Sequence, residues 1–183
     1  LDINEEYAPV VNSWAGKAAI TTKRRVVLAA LGGKIYAIGG QLESTSITNI
    51  NEVYDPLTNT WETKPPMPTP RAMLEIVAAG GKLYAIGGTN TGSNGMTENE
   101  AYDPGADSWS TKAAMPTARH GLAAAVLGGR IYAAGGSNNG TTGLSANEEY
   151  DPVANSWTSK AAMPTARFNV AGGAIGGKFF VVG

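Results

Sequence analysis

A repeat of 47 to 48 residues, present four times, constrains this chain more than any other feature. Tyr7, Tyr54, Tyr102 and Tyr150 recur at that step, as do Trp14, Trp61, Trp109 and Trp157. Gly39-Gly40, Gly87-Gly88 and Gly135-Gly136 keep it too, and Gly183 falls where a fourth pair begins. Such a period means one supersecondary unit copied along or around an axis, each unit too small to bury its apolar face alone. The content of one unit therefore sets the architecture. Residues common to every copy are expected to serve the fold, and residues that vary are the candidates for function.

In the copy beginning near Arg119, residues 122–127 are mostly small and apolar and lead into Gly128-Gly129, a tight hairpin signal. Arg130-Ile131-Tyr132-Ala133-Ala134 is a short apolar run closed by Gly135-Gly136, and the polar, aperiodic stretch 137–145 reads as a loop. Asn147-Glu148-Glu149-Tyr150 then enters Asp151-Pro152, where proline presets φ for a turn that Asn155 can end in the left-handed region. Trp157 opens a fourth strand that stops at Met163-Pro164. No segment has helical periodicity, so the unit is a meander of four short strands and the chain is all-β. Radial repetition of such units is the propeller solution to exposed sheet edges. Small first-strand runs such as Ala123-Ala124-Ala125 and Gly172-Gly173-Ala174 suit a crowded axis, and the tryptophans suit the wider gap between blades toward the rim.

The double glycine, Tyr102-Asp103-Pro104, Trp109 and Met115-Pro116-Thr117-Ala118-Arg119 together resemble the kelch repeat, over essentially the whole chain. The resemblance implies a kelch-type β-propeller whose blades carry four antiparallel strands, and its style is similar to bacterial kelch proteins, which are often secreted. Blades are expected at about 21–66, 67–114 and 115–162, with 163–183 and 1–20 supplying two strands each of a fourth. Two arrangements fit: a closed four-bladed ring, or part of a larger propeller, since kelch-like rings usually hold six or seven blades. Two chains combining into one ring is a third. The first copy departs most. Ala8 stands where the others have Asp55, Asp103 and Asp151, and Lys23 is read as the counterpart of Arg71, Arg119 and Arg167.

Charge and composition then remove classes of function. With 14 basic and 15 acidic residues and no runs of either, the chain has no electrostatic reason to bind nucleic acid. No apolar stretch approaches the roughly 18 residues of a membrane span, so no membrane insertion is expected. Residues 1–5 lack the basic start and apolar run of a signal peptide, which fits either a cytoplasmic chain or a secreted one whose leader has been removed. Cysteine is absent and His120 is the lone histidine, so thiol catalysis, zinc-thiolate sites and a Ser-His-Asp triad have too few residues to be built. The ligands of a galactose-oxidase-type copper site are missing for the same reason. No metal or other cofactor is expected.

In an alternating meander, the connections after the second and fourth strands emerge on one face. Here these are the long, variable ones: 41–50, 89–97 and 137–145, joined by 65–71, 115–120 and 163–168. Varied loops on a fixed scaffold are where binding specificity can reside. One position after the Lys/Arg are Arg24, Ala72, His120 and Phe168; two after it are Arg25, Met73, Gly121 and Asn169. Gln41, Thr89 and Ser137 follow the double glycines, with Asn90 and Asn138 beside two of them. These positions would make a mixed polar and apolar rim around the channel mouth, and Arg24 and Arg25 could pair with an acidic group of a partner. Glu75 stands on a first strand where the other copies have Val27, Ala123 and Ala171. The leading expectation is a noncatalytic scaffold presenting these loops to a protein or glycan. A structural or assembly module is the second reading, with self-association or blades from a longer parent chain. A carbohydrate epimerase or hydrolase centred on Glu75 is the third, but glycoside hydrolysis needs two carboxylates and Glu75 is one.

Overall fold

Four-stranded antiparallel meanders form wherever a full repeat is present. In the computed structural model, which describes residues 2–183, the first blade is β3 (Arg24–Leu31), β4 (Lys34–Leu42), β5 (Asn51–Asp55) and β6 (Thr60–Lys64). The second is β7 (Glu75–Ala79), β8 (Lys82–Ile86), β9 (Asn99–Asp103) and β10 (Ser108–Thr111). The third is β11 (Ala123–Leu127), β12 (Arg130–Ala134), β13 (Asn147–Asp151) and β14 (Ser156–Ser159). At the ends, β1 (Asn4–Ala8) pairs with β2 (Ser13–Lys17), and β15 (Ala171–Ile175) with β16 (Lys178–Val182), each as a separate two-stranded sheet. Among the described residues there is no helix. The innermost strands β3, β7, β11 and β15 pack in succession.

The core lies between blades. Tyr36, Ile38, Val53 and Met67 of the first blade meet Leu74, Ile76, Leu83 and Tyr102 of the second. The same positions repeat one interface on, where Tyr84, Ile86 and Met115 meet Leu122, Ile131 and Tyr150. On the outer strands Trp61, Trp109 and Trp157 each reach back one blade, their indole N–H donating to Ala18 O, Pro65 O and Ala113 O at 2.8 Å. Tyr54 and Tyr150 donate to Asn59 and Asn155 at 2.9 and 2.7 Å, and Tyr102 to Asp107. Those acceptors sit at φ 55, 51 and 49°, the left-handed turn position that Asn and Asp tolerate.

The two kinds of double glycine differ physically. Gly80-Gly81 hold φ of 56 and 75° in a two-residue turn of the primed type, with open space where a Cβ would stand. Gly87 instead marks a close approach: a Cβ there would lie 2.6 Å from Arg119 O of the next blade. Gly88 N–H donates to that same carbonyl at 3.0 Å, so the second pair couples each blade to its successor.

One alignment from the sequence is corrected. Arg24, not Lys23, occupies the position of Arg71, Arg119 and Arg167, each ten residues after its tryptophan. The missing residue falls after Arg24, where the β3–β4 register shifts between Arg25 and Val27.

Candidate functional site

Each blade is locked at its loop-face end by a buried arginine. Arg71 donates to Glu100 Oε2 at 2.7 Å and to the carbonyls of Gly87, Glu98 and Ala85. Arg119 repeats this with Glu148 at 2.6 Å and the carbonyls of Gly135, Ala146 and Ala133. Arg24 donates to Glu52 and to Gly39 O and Ala37 O. A threonine two residues before each arginine, Thr22, Thr69 or Thr117, donates to the other oxygen of the same carboxylate. Burial pulls the Arg71 and Arg119 guanidinium groups below their ordinary value, and the facing carboxylates oppose it. The recurring Glu52, Glu100 and Glu148 went unnoticed in the sequence. Their signal is the Asn-Glu step opening each third strand at the repeat spacing.

This bracket removes Arg24 from the candidate rim. It is buried, and its donors are taken up by Glu52 and by strand and loop carbonyls, so it cannot reach a partner. Arg25 then becomes the counterpart of Ala72, His120 and Phe168, and bridges to Gln41 as Ala72 does to Thr89 and His120 to Ser137.

Three further candidates are buried loop shapers rather than open groups. Thr89 Oγ1 accepts from Thr91 N and Gly92 N, and Ser137 Oγ from Asn139 N and Gly140 N, forming the first turn of each variable loop. His120, 1% exposed, contacts Ser93 O through Nε2 at 3.1 Å and ties the 89–97 loop to the third blade. Its Nδ1 is buried without a hydrogen-bond partner.

The remaining candidates reach the surface to differing degrees. Arg25, Asn90, Asn138 and Asn169 are exposed, Met73 is 40% exposed, and Gln41 and Phe168 are half-buried. Met73, Gly121 and Asn169 occupy one repeat position at φ 53, 59 and 52°. Backbone rungs join them: Gly121 N donates to Met73 O at 2.8 Å and Val170 N to Gly121 O at 3.4 Å. At the first blade, Arg24, Arg25, Gln41, Leu42, Glu43 and Thr45 line a concavity of about 420 Å³.

Glu75 lies on β7, paired with Ile86, and burial raises its carboxyl to about 7. It is the single acid on the innermost strands β3, β7, β11 and β15, so they offer no carboxylate pair. Among the described residues no three His, Cys, Asp or Glu side chains gather to hold a metal, and no helix is long and apolar enough to cross a membrane.

The family description "KLHDC2/KLHL20/DRC7 Kelch-repeats domain" matches residues 14–183. Among solved structures the chain is similar to the one titled "Structure of YjhT", with a TM-score of 0.82 and 18% identity. That likeness, which shows the fold, covers 92% of this chain and 62% of the other, so the chain spans under two thirds of its structural neighbour. No curated protein matches the sequence.

Proposed function

Because the chain belongs to the kelch-repeat family, whose propellers are commonly protein-interaction scaffolds, we propose that it is a noncatalytic scaffold binding a protein segment at the loop face, centred on Arg25. The observation that carries this reading is the division of labour between two adjacent arginines. Arg24 is buried against Glu52 and anchors the loop base. Arg25 is held exposed at the concavity, with Met73 further along the rim. An exposed guanidinium, with an exposed thioether on the blade that follows, suits an extended segment carrying a carboxylate, which the guanidinium can grip through two parallel bonds. Affinity capture with the wild-type chain and with Arg25→Glu, at matched thermal stability, tests the reading. A bound protein lost on substitution supports it, and equal capture by both chains overturns it.

Glu75 favours a second reading, carbohydrate chemistry at the channel, because a carboxyl near 7 can hold or release a proton at neutral pH. Turnover of a sugar substrate abolished by Glu75→Gln would replace the first reading with this one.

A further inference from the structure

Two Asn-Gly steps lie in the variable loops of the second and third blades, Asn94-Gly95 and Asn139-Gly140, and the fold treats them differently. We propose that Asn94 is a site of spontaneous deamidation, which places a carboxylate where the loops 89–97 and 137–145 carry no charged residue. An Asn-Gly step favours this chemistry because glycine has no Cβ to hinder close approach to its backbone nitrogen. The only co-reactant is water. The Gly95 nitrogen bonds to Cγ of Asn94, its proton leaves with the side-chain amide as ammonia, and a succinimide ring closes. Water then opens the ring at either carbonyl. Opening at Cγ leaves aspartate, and opening at the main-chain carbonyl leaves isoaspartate, whose chain runs through Cβ and Cγ.

Both attacking nitrogens are engaged, Gly95 N donating to Asn138 O at 3.0 Å and Gly140 N to Ser137 Oγ at 2.9 Å. The nucleophile therefore does not separate the two steps. The side chains do. Asn139 Oδ1 accepts from Thr141 N at 3.0 Å, Thr142 N at 2.9 Å, Thr141 Oγ1 at 3.1 Å and Ser137 Oγ at 3.2 Å. Turning that amide for attack costs the whole set. Asn94 is exposed, and its carboxamide makes no hydrogen bond among the described residues. Only its backbone N–H is engaged, with Thr91 Oγ1 at 3.2 Å, so Cγ is free to swing.

The seat of Gly95 sets the pace. A Cβ there would lie 2.5 Å from Arg119 Cα and 2.8 Å from Ser137 O. Glycine is therefore required where this loop lies against the third blade, and the labile step comes with it. Gly95 N must leave Asn138 O before it can attack. His120 holds the same loop through Ser93 O at 3.1 Å, one residue before Asn94, so this latch governs how often the step opens. The methylene that isoaspartate inserts ahead of Gly95 would push it off that seat. Conversion would then add a charge and also part the 89–97 loop from the third blade.

Peptide mapping by mass spectrometry tests this, following aspartate and isoaspartate at both sites while the chain is incubated in mildly alkaline buffer. In denaturant the two steps should convert at similar rates, because glycine follows both asparagines and no fold distinguishes them. In the folded chain Asn94 should convert severalfold faster than Asn139. His120→Ala, with thermal unfolding checked against wild type, should speed conversion at Asn94 about two- to tenfold, the worth of one hydrogen bond. Equal rates at the two sites in the folded chain would overturn the proposal, as would a faster Asn139. So would an unchanged Asn94 over a period in which the denatured chain converts. A rate at Asn94 indifferent to His120→Ala would overturn the latch as its pacemaker.

Discussion

Replacing both members of a buried ion pair with apolar residues is often neutral or stabilising, and Arg119–Glu148 should break that rule. Arg119 is fully buried and Glu148 nearly so. Arg119→Met alone leaves a buried carboxylate whose remaining donor is Thr117, at 2.6 Å, and should cost about 3–5 kcal/mol. The pair Arg119→Met with Glu148→Leu removes both charges and restores apolar volume. It still strips the guanidinium from the carbonyls of Gly135, Ala146 and Ala133, at 3.3, 3.0 and 3.1 Å. An acceptor left buried and unpaired costs about 1–3 kcal/mol, less where a strand partner shares it. With ladder bonds covering part of the loss, the double variant should remain about 2–4 kcal/mol below wild type. Arg119→Lys keeps the charge but not the fork, and should recover only part of the loss. Guanidinium denaturation followed by tryptophan fluorescence measures each variant. A double variant within about 0.5 kcal/mol of wild type, the usual range of inconsequential substitutions, would refute the claim that this arginine acts through the backbone it ties together.

The glycine pairs should separate in the same assay. Gly80→Ala, at φ 56° with open space around it, should cost about 1–2 kcal/mol from backbone strain alone. Gly87→Ala should cost clearly more, because its Cβ would stand 2.6 Å from Arg119 O, and equal costs would show that the interface gives way. Glu75 should make stability depend on pH. Its folded carboxyl is raised from 4.5 to about 7, so the folded chain binds the extra proton. The contribution is then full below the unfolded value and lost as pH rises through about 7, on the order of 1–3 kcal/mol in all. Glu75→Gln should flatten the unfolding profile between pH 5 and 8, and a slope unchanged by the substitution would place its origin elsewhere.

How far the sequence could be read depended on whether a feature joins near neighbours or segments distant in the chain. The hairpin glycine pairs, the Asp-Pro turns and the Tyr–Trp rungs act within a few residues or across one strand pair, so a single copy displays them. The Arg–Glu bracket does not. Arg71 and Glu100 lie far apart in the chain, and an acid in a short strand looks like the solvent side of an alternating pattern until the fold buries it. Arg24 was misplaced for a related reason. Counting back from the glycines crosses the irregularity at residues 25–27, and the count slips by one. Thr89, Ser137 and His120 looked open because they begin or border variable loops. The loops instead turn back on those hydroxyls and on that ring, and burial follows.

What emerges is a separation between residues that shape loops and residues that face outward, and it changes how variation among copies should be weighed. His120 differs from Ala72, yet it is spent inside the scaffold, holding one loop to the next blade. Arg25 occupies the equivalent place and is exposed. At His120 the 89–97 loop of the blade behind reaches the ring, so one repeat position can be spent on the scaffold while its equivalent is exposed. A period can locate the positions free to vary, but accessibility decides which of them can touch a partner. Among the candidates on this chain that test leaves Arg25, Met73, Asn90, Asn138 and Asn169 exposed, with Glu75 the one whose carboxyl burial raises to about 7.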